Sequence, residues 1–271
     1  MIHTPKDLAS VFRGLGLAEG DSLVVHSSFR SLKPFEADAE AVINVILGLI
    51  GPSGNLMLPT FNYTRPLPEP HFDPEKTPCR TGIIPELGRQ RKSAIRSFHP
   101  THSVAVIGPD AVLLTERHLD GRAFGIGSPI DRLGEIGGKI LLIGVGHEAN
   151  SAIHVAEERA LLAKVNHYNP MPFLRIKAPD GTIVCHQLDS SPSCSAAFGA
   201  VEQPLIARDL IADGRLGECR LQLTSVKAVI DLAVDMIRND PTALLCSRAE
   251  CRLCPGVRKN LGVQGSGFGV Q

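Results

Sequence analysis

Tryptophan is absent from this 271-residue sequence, tyrosine occurs twice, and aromatic residues make up only 4% of the chain. Proteins that hold single-stranded nucleic acid stack its bases on aromatic side chains, so this composition argues against such a partner. Neither sign of charge is in excess, because 28 Lys and Arg balance 28 Asp and Glu. A chain without net charge lacks the general attraction to phosphates, and the sequence therefore predicts no nucleic-acid partner.

Long apolar runs are also missing. No uninterrupted apolar stretch approaches the roughly 18 residues of a membrane helix, and the N-terminus has no basic head followed by an apolar core. We therefore expect no membrane partner and a cytoplasmic protein whose seven cysteines are reduced. The sequence leaves a homodimer open.

Segments with strand and helix periodicity alternate along the chain, which predicts an α/β fold with a mainly parallel central sheet and flanking helices. The dipeptide Asp180-Gly181 predicts a hairpin and thus a small antiparallel extension. We expect one domain over residues 1–240 and an irregular Cys- and Gly-rich tail over 241–271. Strands are predicted at 22–26, 55–61, 104–107, 139–145, 173–176, 182–185 and near 221. Helices are predicted from a cap at Thr4, and at 37–50, 82–91, 111–118, 152–163, 201–212 and 226–237.

Three polar loops each follow an apolar strand. They are 26–28, the Pro-rich stretch from 62 to 80, and 146–150. In open α/β sheets ligands bind where loops leave the carboxyl ends of the strands. We therefore expect these loops to form the functional site.

The third loop leads into a helix with three titratable residues. Ser151 is expected to be its N-cap, which places His154 in the first turn. Glu157 at i+3 and Glu158 at i+4 can both share a face with His154. The helix N-terminus disfavours a protonated imidazole and a paired carboxylate favours it, so together they can hold an oriented, nearly neutral general base. The alternative is a half-buried helix histidine in a surface ion pair.

The same segment resembles a dinucleotide-binding loop only weakly. Gly144 and Gly146 follow a strand and precede a helix, but the third glycine is missing because position 149 is Ala. No acidic residue ends a strand about 20 residues later, where a ribose would be bound. The signal for a dinucleotide-binding loop is therefore weak.

Two hydrolase motifs do not match this sequence. His147-Glu148 looks like the start of a metalloprotease motif, but the next histidine, His154, lies at i+7 instead of i+4. The nucleophile elbow of serine hydrolases is also absent, since Ser266 lies between glycines in the tail and not at a strand-to-helix turn. Direct attack by a bound amine fits the residues better than an acyl-enzyme.

Three cysteines lie close together near the C-terminus with the spacing Cys246-x4-Cys251-x2-Cys254. Zinc sites usually show two paired cysteine knuckles, and only one is present here. A fourth ligand would have to come from Cys194, Cys185 or His186. We expect reduced thiols and no bound metal.

Five ordered sequence blocks resemble the aminoglycoside 3-N-acetyltransferase family, over roughly residues 5–240. The most specific block is Gly-Val-Gly-His-Glu-Ala-Asn-Ser-Ala-Ile-His-Val-Ala-Glu at 144–157. The others cover 25–32, 51–60, 96–105 and 127–133. The resemblance implies an acetyl-CoA-using N-acetyltransferase whose fold differs from that of the GNAT acetyltransferases.

By this resemblance His154 and Glu157 are the catalytic pair. His154, oriented by Glu157, removes a proton from a substrate amine as its nitrogen attacks the thioester carbonyl. We expect Asn150 or Ser151 to stabilise the developing oxyanion.

The resemblance also implies where CoA binds. Two segments are expected to line that site, namely the loop from strand 22–26 and a short stretch near 103. Their residues are His26, Ser27, Ser28, Phe29, Arg30, Ser31, Leu32, Ser103 and Val104.

Departures from the family pattern concern the acceptor. Where many members read Asp-Ser-Asn-Thr, this sequence reads Glu-Ala-Asn-Ser at 148–151, and the Pro-rich loop offers only Glu69, Asp73 and Glu75 as acids. The leading hypothesis is transfer to the 3-amino group of an aminoglycoside. The alternatives are the same chemistry on another small-molecule amine, or a CoA-binding protein without turnover.

Overall fold

The protein is described here by a computed structural model covering residues 2–62, 71–160, 173–178, 180–187 and 194–262. The strands in these ranges are β1 Ser22–Ser27, β2 Asn55–Pro59, β3 Ile95–Arg96, β4 Val104–Ile107, β5 Lys139–Ile143, β6 Phe173–Lys177, β7 Ile183–Gln187, β8 Ile211–Leu216 and β9 Cys219–Ser225. The helices are α1 Pro5–Gly14, α2 Ala39–Ile50, α3 Ile83–Arg89, α4 Ala111–Thr115, α5 Pro129–Glu135, α6 Ala152–Arg159, α7 Glu202–Ile206, α8 Val226–Asn239 and α9 Cys254–Asn260. Glu69, Ser266 and the predicted last turn of the helix at 152–163 lie outside the described residues.

Seven strands form one sheet in the order β3-β4-β2-β1-β5-β9-β8. The central strand β1 pairs in parallel with β2 on one side and β5 on the other. The outer strands join antiparallel on both sides. The predicted hairpin forms a separate antiparallel pair, β6 and β7. The predicted α/β class is confirmed, and antiparallel pairing reaches both edges of the main sheet.

Both faces of the sheet are covered, which explains why its central strands are continuously apolar. Successive side chains alternate between faces, so Leu23 and Val25 belong to a core with α1 and α2, while Val24 belongs to a core with α5, α6 and α8. In β5, Leu141 and Leu142 divide in the same way. The two cores fix β1 and β5 from both sides, and these strands carry the loops of the candidate site.

Helix α1 begins where the sequence predicts. Thr4 and Asp7 form a capping box, in which the Asp7 backbone N–H donates to Thr4 Oγ1 at 3.2 Å and the Thr4 backbone N–H donates to Asp7 Oδ2 at 2.8 Å. Pro5 occupies the first turn, where its missing N–H costs nothing. Helix α2 begins two residues later than predicted, because Asp38 caps it.

The helix predicted at 201–212 is wrong in its second half. Helix α7 ends at Ile206, and Asp209 then adopts a left-handed φ of 54° that no helix continues through. From Ile211 the chain forms β8, which pairs antiparallel with β9 through a turn at Gly217. The strands β8 and β9 therefore form a hairpin, whereas the sequence predicts a helix up to 212 and a single strand near 221. Pairing with β9 overrides the local helical pattern of β8.

The segment after residue 240 packs against the core, although an irregular tail is predicted there. Leu245 and Val257 are buried in the same core as α6 and α8. The Arg258 guanidinium donates to the carbonyls of Leu245 and Cys246, both at 2.8 Å, and so ties α9 to the preceding chain. The boundary at residue 240 stays a prediction.

Substituting the two glycines that flank β5 separates the cost of backbone strain from the cost of a steric clash. Gly137 and Gly144 have φ of 78° and 60°; a Cβ on Gly137 would meet nothing within 4 Å, whereas one on Gly144 would lie 1.7 Å from the Ser31 hydroxyl oxygen. We expect Gly137→Ala to lower the free energy of unfolding by about 1 kcal/mol, from backbone strain alone. Gly144→Ala should cost roughly 2–4 kcal/mol, because overpacking adds to the strain.

Urea unfolding of the two variants at constant pH checks this prediction. Equal losses of stability would contradict the close approach of Ser31 to the end of β5.

Candidate active site

A cleft of about 220 Å³ opens where the chain leaves the carboxyl ends of β1, β2 and β5. The crevice beyond the ends of parallel strands is the usual ligand site of such sheets. Loops 26–28 and 146–150 both reach it as expected, and the third predicted loop starts beside Phe61, although residues 63–70 lie outside the described chain. The lining residues include His26, Ser27, Phe61, Asn150, Ser151 and His154.

The cleft contains the predicted histidine–carboxylate pair. His154 Nδ1 lies 2.8 Å from Glu157 Oε2, one turn later on α6. The Glu157 side chain is only 3% exposed and that of His154 is 11% exposed. Because the carboxylate accepts from Nδ1–H, it orients the ring and leaves Nε2 as the nitrogen that can take a proton.

Aromatic rings hold the His154 imidazole on two sides. Phe124 stacks on it with centroids 5.0 Å apart and planes at 27°, and Phe198 meets it edge-on at 4.8 Å. Phe124 also contacts Phe61 and His102. The ring therefore has little freedom to rotate away from Glu157.

Asn150 sets the start of α6 and joins it to the preceding loop. Its Oδ1 accepts from the Ala152 backbone N–H at 3.1 Å, and its Nδ2 lies 3.1 Å from His147 Nδ1. Ser151 is the N-cap residue of α6, as predicted, but its side chain makes no capping hydrogen bond. The Asn150 side chain accepts from the helix N-terminus instead, and Ser151 lines the cleft.

His26 is a neutral imidazole beneath the cleft. Burial, with smaller contributions from the neighbouring His147 and His154, lowers its pKa to about 3. The Ser151 backbone N–H donates to His26 Nε2 at 3.4 Å, so Nε2 is the unprotonated nitrogen. The end of β1 is thereby tied to the start of α6.

Two other acids near His154 in the sequence, Glu158 and Glu148, have partners of their own. Glu158, the alternative at i+4, instead binds Arg122 through both oxygens, at 3.0 and 3.1 Å. Glu148 is exposed and lines the cleft, with one oxygen accepting from the Gly146 backbone N–H at 3.0 Å. Glu157 is thus the partner of His154, and Glu148 is an acid that faces the cleft opening.

An imidazole oriented by a buried carboxylate, in a cleft at the strand ends, can remove a proton from a bound nucleophile. Residues 24–238 match the model of the family described as aminoglycoside 3-N-acetyltransferase, which is most of the chain. The chain belongs to this family. It is therefore an acyltransferase that uses acetyl-CoA, and the predicted family and enzyme class are confirmed.

Named relatives agree with this assignment. The acetyltransferase is 29% identical over 241 residues to aminoglycoside N(3)-acetyltransferase IV of Salmonella sp, covering 88% of this chain and 89% of the relative. Its fold matches the crystal structure of aminoglycoside acetyltransferase AAC(3)-IVa as apoenzyme, with a TM-score of 0.81, 27% identity, and coverage of 96% and 98%. The H154A mutant of that protein in complex with a gentamicin gives a TM-score of 0.84 and 28% identity, at the same coverage.

In this acetyltransferase, the residues of the loop expected to bind CoA do not all line the cleft. His26 and Ser27 line it. The backbone N–H of Ser28 already donates to the Ile143 carbonyl at 2.8 Å, and that of Ser31 donates to the Ser28 carbonyl at 3.1 Å. These two N–H groups are therefore bonded within the protein and not offered to a phosphate.

The rest of that loop divides between surface and core. Arg30 is exposed, and Phe29 packs edge-on against Phe35 with centroids 6.4 Å apart. Leu32 is completely buried in the core beside α1 and α2. Arg30 is the exposed cation in this part of the loop, and its part in CoA binding stays a prediction.

Val104 is the first residue of β4 and Ser103 directly precedes it, and neither is among the residues that line the cleft. The Ser103 hydroxyl donates to the Thr60 carbonyl at 3.0 Å and accepts from Arg96 Nε at 3.0 Å. Val104 is buried in β4, where it pairs with Pro59. Their side chains support the end of β2, and their part in CoA binding stays a prediction.

Several residues of the site carry no signal that sequence reasoning could use. Phe124 lies in a Gly-rich loop and Phe198 follows Cys194 by four positions, far in sequence from His154. Only the fold brings both rings to the imidazole. His102 belongs to the block 96–105 that carries the family resemblance, and that block is the one sequence signal that could have drawn it into the site.

No helix in the described part of the chain combines the length and apolar character needed to cross a bilayer.

Four histidines at and behind the cleft are held neutral by burial. Burial lowers the pKa of His26 to about 3 and of His118 to about 4, and it lowers the pKa of His99 and His102 well below the usual value of 6.5. The unfolded chain therefore binds more protons than the folded chain once the pH falls below about 6.5. The folded state loses stability as the pH falls through this range, because its imidazoles stay uncharged while those of the unfolded chain take up protons.

We expect the free energy of unfolding to fall by about 2 kcal/mol per buried histidine between pH 7 and pH 5. Urea denaturation at the two pH values measures the loss. Undiminished stability at pH 5 would contradict the neutral, buried state of these rings.

Proposed function

We propose that this acetyltransferase transfers the acetyl group of acetyl-CoA to an amino group of an aminoglycoside, at the 3-N position, with His154 as the general base. The observation that carries the proposal is the His154–Glu157 hydrogen bond at the wall of the cleft. The family gives the reaction class, and the geometry supplies the group that can take the proton.

His154 acts on the acceptor amine. The amine nitrogen forms a bond to the acetyl carbonyl carbon while His154 Nε2 takes its proton, and the bond from that carbon to the CoA sulfur breaks. The buried Glu157 carboxylate stabilises the imidazolium that forms, since opposite charges attract strongly where water is excluded. The thiolate of CoA then receives the proton, which completes the balance.

The start of α6 supplies candidates for stabilising the negative charge on the carbonyl oxygen. Asn150 has its side-chain oxygen and one amide hydrogen engaged, with Ala152 and His147. Ser151 lines the cleft and makes no capping bond, which favours its hydroxyl as the donor. We assign this role to Ser151, with Asn150 holding the loop in position.

CoA is proposed to bind along the loop after β1. His26 and Ser27 line the cleft at the base of this loop, and the exposed Arg30 lies three residues further on. A guanidinium is suited to bidentate contacts with phosphate. In this arrangement the thioester end of CoA reaches the cleft past Ser27, towards His154.

Glu148 supports an aminoglycoside as the acceptor. Its exposed carboxylate lines the cleft and can attract a second ammonium group of a polycationic substrate. Solved relatives have a gentamicin and apramycin bound, in each case as an H154A mutant of aminoglycoside acetyltransferase AAC(3)-IVa. Among the described lining residues Glu148 is the one acid, which favours an acceptor with fewer charges as the second candidate, in which the same pair acetylates another small-molecule amine.

The proposed setting is the cytoplasm, where acetyl-CoA and reduced thiols coexist, and the proposed partners are small molecules without nucleic acid. The seven cysteines are unbridged in the structure, which supports a reducing compartment.

Three variants on α6 test the catalytic pair. We expect His154→Ala to lower kcat by about 10²–10⁴-fold, since the general base is lost. Glu157→Gln should lower kcat on the order of 10²-fold, because the ring is no longer held in one tautomer. Glu158→Gln is the matched control, as it changes a neighbouring carboxylate that binds Arg122 and should leave kcat within about twofold.

Thiol release from acetyl-CoA, with gentamicin and apramycin as acceptors, measures these rates. Near-normal turnover by His154→Ala would overturn the assignment of the base.

The acceptor class is tested separately at Glu148. We expect Glu148→Gln to raise KM for a polycationic aminoglycoside about 5- to 50-fold, with kcat little changed, because a cation-binding contact outside the reacting atoms is removed. The KM of a monoamine acceptor should not change. If wild-type enzyme turns over no member of an aminoglycoside panel but acetylates a simpler amine, the second candidate is favoured.

A further inference from the structure

Four cysteines from two distant parts of the chain meet behind the cleft. Cys194 comes from the segment before Phe198, and Cys246, Cys251 and Cys254 come from the C-terminal segment. Their sulfur atoms all lie within 4.8 Å of one another. The catalytic chemistry described above uses none of them.

The sulfur geometry is that of a metal site and not of a disulfide. In a tetrahedral Zn(Cys)4 site with Zn–S bonds of about 2.3 Å, neighbouring sulfurs are roughly 3.8 Å apart. The sulfurs of Cys194 and Cys246 are 3.7 Å apart, whereas a disulfide bond spans about 2.05 Å. All four cysteines are unbridged. One ion at the centre would contact every sulfur without moving the backbone far.

Backbone N–H groups already point at these sulfurs. The Cys254 N–H donates to Cys251 Sγ and the Ala196 N–H donates to Cys194 Sγ, both at 3.4 Å. Such bonds stabilise thiolates and orient metal ligands.

Cys246 and Cys254 are buried, at 5% and 0% exposed. Cys194 and Cys251 are half-buried and pack against the same core, so the four thiols form one cluster at its edge. The surrounding structure is also built to hold them, since Arg258 fixes the carbonyl of Cys246 to α9.

We propose that Cys194, Cys246, Cys251 and Cys254 bind one Zn²⁺ in a closed structural site. This reverses the expectation from the sequence, in which a single knuckle argues against a metal; only the fold brings Cys194 to the other three sulfurs. Four protein ligands leave no open position, so the ion stabilises structure and does not take part in the reaction.

The ion would connect the C-terminal segment to the wall of the cleft. Ser195, the residue after Cys194, lines the cleft, and Phe198 contacts His154 edge-on. Loss of the metal should therefore release both the segment 246–254 and this wall.

Metal content tests the site directly, without reference to turnover. Protein purified without a metal-affinity resin and dialysed against a chelating resin should retain one zinc per chain by elemental mass spectrometry. In Cys194→Ser and Cys254→Ser, retained zinc should fall on the order of tenfold or more, since losing a ligand costs at least as much as losing its outer-shell support. Cys185→Ser is the matched control, because Cys185 is exposed on β7, and it should keep its zinc.

A second measurement protects the test against variants that fail to fold. Wild-type protein loaded with Co²⁺ in place of zinc should show the intense visible bands of tetrahedral cobalt and the near-ultraviolet bands of sulfur-to-cobalt charge transfer. Stripping zinc with a strong chelator should lower Tm by roughly 5–10 °C. Wild-type protein without zinc, with iron in its place, or with disulfides among these four residues would overturn the proposal.

Discussion

The hydrogen bond between His154 Nδ1 and Glu157 is the interaction on which the rest of the site depends. A carboxylate buried to 3% exposure would be costly without a charged or hydrogen-bonded partner, and the imidazole supplies that partner. The same bond decides which ring nitrogen faces the substrate. The same pair therefore matters for stability and for chemistry. If the His154 ring turned away, the buried Glu157 carboxylate would lose this partner.

The fold brings several distant segments to this pair. The parallel pairing of β1 and β5 places their ends side by side, and the Ser151 backbone N–H donates to His26, which ties the end of β1 to the start of α6. Asn150 fixes where α6 starts, so that His154 falls in its first turn. Phe124 and Phe198 then restrict the imidazole ring from opposite parts of the chain. Each contact removes a freedom that the ring would otherwise have.

Local sequence patterns predict the elements well where one force dominates. The capping box at Thr4, the apolar strand β5 and the i, i+3 spacing of His154 and Glu157 are all local features, and the structure shows each of them. The predicted helix at 201–212 is wrong because β8 gains its stability from pairing with β9, which a local window does not contain. The sequence pattern places Ser151 at the N-cap of α6, as the structure shows, but the hydrogen bond to the helix N-terminus comes from the side chain of Asn150.

Contacts between distant residues explain what the sequence does not reveal. The rings beside His154 and the meeting of Cys194 with the C-terminal cysteines both arise from the sheet order and the packing of the segment after 240. Family resemblance identifies His154 and Glu157, but the residues that hold them in place carry no motif of their own. In the proposed function the choice of acceptor depends on the cleft wall, where Glu148 stands in place of the Asp of many family members.

The protonation of the two His154 ring nitrogens tests the central claim most directly. Nitrogen-15 NMR of histidine-labelled enzyme, with the His154→Ala spectrum for assignment, reports which nitrogen carries the hydrogen in the neutral ring. The account predicts a hydrogen on Nδ1, shared with Glu157, and an unprotonated Nε2. A neutral ring with its hydrogen on Nε2 would have no lone pair on the nitrogen that faces the substrate. It could not take the proton of the amine there, and this result would contradict the account.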